Sequence, residues 1–93
     1  MKFEWHPQKA AKNIRKHKVS FHEAATVFAD PLSITISDPS HSQDEERYVI
    51  IGWSNRRRLL MVSHTEYTNR IRLISARQLT RKERKEYEKG NFT

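Results

Sequence analysis

His64 and Glu66 lie at one end of the short polar stretch Glu66-Tyr67-Thr68-Asn69, and Arg70 and Arg72 follow it. An imidazole, a carboxylate and guanidinium groups are the parts that cut RNA without a metal. A His or Glu takes the 2′-hydroxyl proton, arginines neutralise the phosphoryl oxygens, and an acid protonates the departing 5′-oxygen. Each positioned acid or base is worth about 10²–10⁴-fold in rate. The same residue types also occur with no chemical role, a His at a sheet margin and arginines as a solvated or phosphate-contacting row.

Period-two geometry decides which of these groups share a face. In a strand over residues 58–65, Leu60, Val62 and His64 point one way and Leu59, Met61, Ser63 and Thr65 the other. In a strand over 70–76, regular alternation puts Arg70, Arg72, Ile74 and Ala76 on one face, and Ile71, Leu73, Ser75 and Arg77 on the other. A hairpin at Glu66–Asn69 then gathers His64, Glu66, Arg70 and Arg72 at one end, where a basic terminal helix can return to complete a single cleft.

The elements that must position these groups follow from the local pattern. Phe3-Glu4-Trp5 reads as a very short strand, and Pro7 opens a helix running to about His17. Ser20-Phe21-His22-Glu23 is a capping box that starts a second helix, ended by Asp30-Pro31. Leu32, Ile34 and Ile36 alternate with polar residues as a half-buried strand, and Ser40 to Glu46 reads as a surface loop. Strand patterns at 47–53, 58–65 and 70–76 are joined by connections too short for a parallel crossover, which predicts an antiparallel meander. Thr80-Arg81-Lys82-Glu83 is a second capping box; its helix, from Arg81 to about Lys89, offers few apolar anchors beyond Leu79 and Tyr87. The expected fold class is α+β, an antiparallel sheet of about four strands flanked by two N-terminal helices and one C-terminal helix. At 93 residues the chain, 1–93, is expected to be a single domain with one modest core.

Composition narrows the function classes. Lys and Arg number 18 against 11 Asp and Glu, a net charge of +7, which favours polyanions such as nucleic acid or an acidic partner. The excess sits in residues 55–93, with eleven basic side chains against four acids, whereas residues 31–54 carry Arg47 against four acids. Arg56-Arg57-Arg58 falls in a hairpin turn, as a solvated tip or an RNA-docking one, and Arg81, Arg84 and Lys85 share the last helix with Tyr87. Trp5, beside an opening helix, reads as a core plug rather than a base-stacking platform. With no Cys there is no disulfide, thiolate nucleophile or Cys-based metal site. The five His include no pair at metal-ligand spacing, and no glycine-rich phosphate loop or nucleophile elbow is present, so neither metal nor cofactor is expected. No apolar run approaches the length of a membrane span, which predicts a cytoplasmic protein without membrane contact.

Across nearly its whole length the chain resembles the BrnT toxins of bacterial type II toxin–antitoxin systems. The resemblance is carried in order by Phe3-Glu4-Trp5 with Pro7, Lys16-His17, Val19-Ser20-Phe21, Glu23-Ala24, Val27-Phe28 and Asp30-Pro31. It continues through Glu46-Arg47, Ile51-Gly52, Leu59-Leu60, Val62, His64-Thr65, Ile71-Arg72, Ile74-Ser75-Ala76-Arg77, Glu83-Arg84 and Tyr87-Glu88. It implies a RelE-like fold and an endoribonuclease that inhibits translation. It also implies a cognate BrnA-like, DNA-binding antitoxin, with operator DNA bound only through the complex. Carried over by position, it implies catalytic roles for His64, Glu66, Arg72, Arg77, Arg84 and Tyr87, while Arg56, Arg57, Arg58, Arg70, Arg81 and Lys85 are expected to contact RNA phosphates. The family usually has Asp where His6 stands, Gly where Lys18 stands, and polar or basic residues where Trp53 and Tyr67 stand. The expectation from another class is a non-catalytic RNA- or DNA-binding module, for which the basic C-terminal stretch suffices; a protein-interaction partner is a third.

Overall fold

A computed structural model describes residues 2–38 and 46–91. Most of the expected loop, from residue 39 to residue 45 and including His41, lies outside them. The elements are β1 (Lys2–Glu4), α1 (Pro7–His17), α2 (Phe21–Thr26) with a 3₁₀ turn (Val27–Ala29), β2 (Ile34–Ser37), β3 (Tyr48–Trp53), β4 (Leu59–Glu66), β5 (Arg70–Gln78) and α3 (Arg81–Glu88).

The chain is α+β, and the sheet differs from the expectation of about four antiparallel strands. It has five, in the order β1-β5-β4-β3-β2. The last four form the antiparallel meander, but β1 pairs in parallel with β5, Phe3 opposite Ile71, so the sheet is mixed. Local pattern predicts a short strand at residues 3–5, which the structure places at 2–4, whereas its neighbour is contributed by residues 70–72, a pairing no short-range signal encodes.

A β-bulge corrects the expected alternation. Ser63 pairs with Ser75, but the next residue, His64, pairs with Leu73, leaving Ile74 as the extra residue of β5. The faces switch there. Ala76 joins Ile71 and Leu73 in the core, rather than sharing a face with Arg70 and Arg72, and Arg77 turns to the outer face with those arginines. The core packs Val19, Phe21, Ala24 and Val27 against Ile50, Leu60, Val62, Ile71, Leu73 and Ala76. Trp5 packs at its margin in edge contact with Phe21, 5.9 Å between centroids, as a core plug should.

β1 covers only the first residues of β5, so the rest of that edge needs another partner, and α1 supplies it. The Asn13 amide accepts from the Ala76 N–H and donates to the carbonyls of Ala76 and Val19. Lys18 closes α1 in the left-handed conformation at φ 60°, taking the strain that a glycine would avoid. Ser20 caps α2 through the Glu23 N–H, but the reciprocal half of that box is missing because the Glu23 carboxylate is bound to Ser54 and Arg58. Both halves form at Thr80 and Glu83.

α3 is held on the outer face by few anchors. Arg77 forms a two-point ion pair with Glu83, at 2.7 and 2.9 Å, and the Tyr87 hydroxyl donates to the Leu32 carbonyl at 3.0 Å. Arg84 lies over the Trp53 ring, 5.2 Å from its centroid.

Candidate active site

β4 delivers His64 to the core face. Its side chain is 0% exposed, with the ring in edge contact with Phe28 at 4.9 Å and stacked on Tyr48 at 5.9 Å. An imidazole so enclosed cannot touch RNA directly. Its Nε2, however, is 2.9 Å from Oε2 of Glu66, whose side chain is 46% exposed at the strand end. A donating Nε2–H fixes the carboxylate and leaves its other oxygen free to act. Tyr48 borders the pair and donates its hydroxyl to Glu46 at 2.7 Å. The hydrogen bond to Glu46 and the charges of Glu46 and Glu66 hold the phenol above its ordinary range.

On the other face of the same hairpin, Arg70 and Arg72 both lie over Tyr67, at 4.3 and 5.5 Å from the ring centroid. They share Glu4 of β1, Arg70 at 3.1 Å and Arg72 at 3.4 Å. Two cations against one carboxylate, with both guanidinium groups nearly half-exposed, leave positive charge available to an anion.

Arg72 also pairs across the sheet with Thr65. Continuing the β3–β4 register by one residue sets Arg47 opposite Thr65, making a row Arg47, Thr65, Arg72 on the outer face. Among the described residues, Thr65 Oγ1 and Arg47 Nε are buried without hydrogen-bond partners. Sequence reasoning assigned no role to Arg47, Thr65 or Tyr48. The strand alternation does predict that Arg47 shares a face with Val49 and Ile51, and that signal could have found it.

The remaining candidates lie at the opposite end of the sheet. Arg77 is five residues along β5 from Arg72, about 16 Å of strand, and its guanidinium is taken by Glu83, which that pairing holds at a pKa of about 2. Arg84 and Tyr87 sit with Trp53 and Leu32; burial and the charge of Asp30 raise the Tyr87 phenol above its usual range. Arg81 and Lys85 are exposed on α3, and Arg56 and Arg57 on the β3–β4 turn. Arg58, by contrast, is locked to the buried Glu23 carboxylate and donates to the Lys18 carbonyl. The fold thus gathers His64, Glu66, Arg70 and Arg72 at one end, with His64 and Glu66 on the face opposite the arginines. It does not bring Arg77, Arg84 or Tyr87 to them.

Among the described residues no group of three or more His, Asp or Glu is placed to hold a metal ion, and no helix is long and apolar enough to cross a membrane. No curated protein sequence matches the chain. Its structure is similar to the 1.1 Å crystal structure of the ribonuclease toxin BrnT of Brucella abortus, with a TM-score of 0.65 at 21% identity, covering 87% of this chain and 99% of that one. At that identity the likeness speaks to the fold. The sequence model of the ribonuclease toxin BrnT, of type II toxin–antitoxin systems, matches residues 5–83. Over that span, which includes the whole sheet from β2 to β5, the chain belongs to the BrnT toxin family.

Proposed function

We propose that the protein is an endoribonuclease toxin whose active site is the β4–β5 hairpin end, where Glu66 acts as base and Arg70 and Arg72 hold the scissile phosphate. The observation that carries this reading is the 2.9 Å His64–Glu66 pair at the same hairpin end as two half-exposed arginines, which lie on its other face, in a chain of this family. Glu66 takes the 2′-hydroxyl proton, the freed oxygen attacks the adjacent phosphorus, and the 5′-oxygen leaves with a proton from solvent. Arg70 and Arg72 offset the charge that builds on the phosphoryl oxygens. His64 is a positioning residue that orients the Glu66 carboxylate. Arg77 and Tyr87 act at a distance by seating α3, where Arg84, Arg81 and Lys85 face solvent for RNA contact.

The reaction runs on protein groups without a metal, and RNA cleavage inhibits translation in the cytoplasm, as the resemblance to the BrnT toxins implies. A BrnA-like antitoxin covers the basic face and carries the complex to operator DNA. Purified protein incubated with RNA, with and without ribosomes and chelator, tests the activity; induction with and without the adjacent antitoxin tests the toxicity. Intact RNA in every arm and unimpeded growth would overturn the reading.

The full burial of His64 favours a second reading, a basic RNA-binding module in which His64 is only a core residue. Glu66→Gln separates the two, since a binder has no cleavage to lose.

A further inference from the structure

α1 carries Lys9, Lys12, Arg15 and Lys16 and no acidic residue. Like charges one turn apart repel by a few tenths of a kcal/mol per pair, and Lys9 in the first turn opposes the helix dipole as well. A helix whose only task was to cover the edge of β5 would gain from a Glu or two on its exposed face. Its first turn holds none, while its last turn is uniformly basic.

Lys9, Lys12 and Lys16 are exposed, and none makes an ion pair among the described residues. At 100° and about 1.5 Å per residue they fall on one helix face. That face borders a groove along β5. A hollow of about 500 Å³ is lined by Glu4, Trp5, Lys9 and Arg72 with the bulged Ile74. A second, of about 210 Å³, continues past Lys12 and Lys16 to Ser75. A third, of about 340 Å³, is lined by His6, Gln8, Lys9 and Lys12. Lys9 lines all three, and Ile74 lines the first two, so the hollows adjoin one another around Lys9. Glu4, their one carboxylate, is already engaged by Arg70 and Arg72.

The groove starts at Arg72, the residue placed against the scissile phosphate, and runs away from it beside unpaired ammonium groups. We propose that this α1–β5 groove is a second binding site, for the phosphate backbone of single-stranded RNA flanking the segment that is cut. The inference rests on the ribonuclease reading above. Successive phosphates of the flanking strand sit against Lys9, Lys12 and Lys16, which gives the protein a hold on long RNA that a short fragment cannot use. Flexible lysines contacting phosphates bind without base specificity, so this site adds affinity and leaves sequence choice to the cleft.

The test uses non-cleavable 2′-O-methyl oligonucleotides of about 4 and about 16 nucleotides, titrated over a range of salt with wild type and the triple variant K9Q/K12Q/K16Q. Gln keeps the helix propensity, and far-UV circular dichroism checks the fold. Loss of three phosphate contacts lowers the slope of log affinity against log salt by about 2 for the long strand, while affinity for the short strand and cleavage of a short substrate stay at wild-type values. Equal slopes for variant and wild type on the long strand would overturn the groove alone. So would a variant that binds long RNA normally but loses affinity for the antitoxin, because the occupant would then be an acidic chain. A wild type that holds neither length nor cleaves RNA would remove the ribonuclease reading itself.

Discussion

Asn13 and Ala76 are joined by two hydrogen bonds: the amide oxygen accepts the Ala76 N–H at 3.0 Å, and Nδ2 donates to the Ala76 carbonyl at 2.9 Å. A side chain thereby does for the half of the β5 edge beyond β1 what a neighbouring strand does elsewhere. A third bond, from Nδ2 to the Val19 carbonyl, ties the α1–α2 link to the same point. Removing the amide strands buried backbone groups at about 1–3 kcal/mol each. Asn13→Leu is therefore expected to destabilise the fold by several kcal/mol, and denaturant unfolding measures it. A loss under about 1 kcal/mol would show that water replaces the amide easily.

Gly52 sits on the core face of β3, and its need is for space rather than for an unusual φ. A Cβ there would lie 2.9 Å from both Asp30 Oδ2 and Ser33 Cβ and 3.2 Å from Val27 Cγ1. The carboxylate cannot simply swing aside, because the same oxygen accepts the Trp53 N–H at 2.8 Å. Overpacking of this kind costs about 1–3 kcal/mol, so Gly52→Ala should lower the melting temperature, and an unchanged value would mean the link after α2 yields freely.

The parts of this architecture that short-range patterning controls were legible in the sequence. Pro7, Ser20 and Thr80 each mark a helix start that the structure retains, and the alternations at 34–37, 48–53 and 59–66 are strands. Two long-range events were not. The pairing of residues 2–4 with 70–72 joins segments with no common local signal, and the bulge at Ile74 shifts the register without a glycine or proline to announce it. One extra residue moved Arg77 onto the face of Arg70 and Arg72 and Ala76 off it. Alternation set His64 on the face of Leu60 and Val62, but its full burial was hidden, since an imidazole between Phe28 and Tyr48 depends on partners distant in the chain.

Glu83 gives the fold an acid-sensitive anchor. Its hydrogen bonds to Arg77, aided by the Thr80 N–H, lower its pKa from 4.5 to about 2. A carboxyl depressed in the folded state stabilises it fully above the unfolded value and loses that contribution as pH falls through the folded one. Glu23, lowered by Arg58 and Ser54, works in the same direction. Stability should fall from about pH 4.5 toward pH 2, with α3 loosening first because its other anchors are few. In Glu83→Gln that acid limb is expected to flatten, and α3 amides to exchange faster near neutrality. An unchanged pH profile would show that the Arg77 pair adds nothing to stability.

Glu66, His64 and Arg72 make separable contributions if the hairpin end is the site of cleavage. Glu66→Gln keeps size and hydrogen bonding but abolishes the base, so cleavage should drop about 10²–10⁴-fold with RNA affinity nearly unchanged. His64→Gln removes only the orienting imidazole; its loss in kcat should be smaller, and it should disappear when Glu66 is already Gln, because a positioning residue has nothing left to position. Arg72→Ala should weaken both steps and reduce the salt slope by about 0.7, whereas Arg72→Lys restores the slope more fully than the rate, since an ammonium lacks the two-pronged guanidinium. Single-turnover cleavage of a defined RNA, combined with anisotropy titrations, resolves all four. The same catalytic loss from His64→Gln in the presence and absence of the Glu66 carboxylate would break the proposed link, and undiminished cleavage by Glu66→Gln would move the base elsewhere in the molecule.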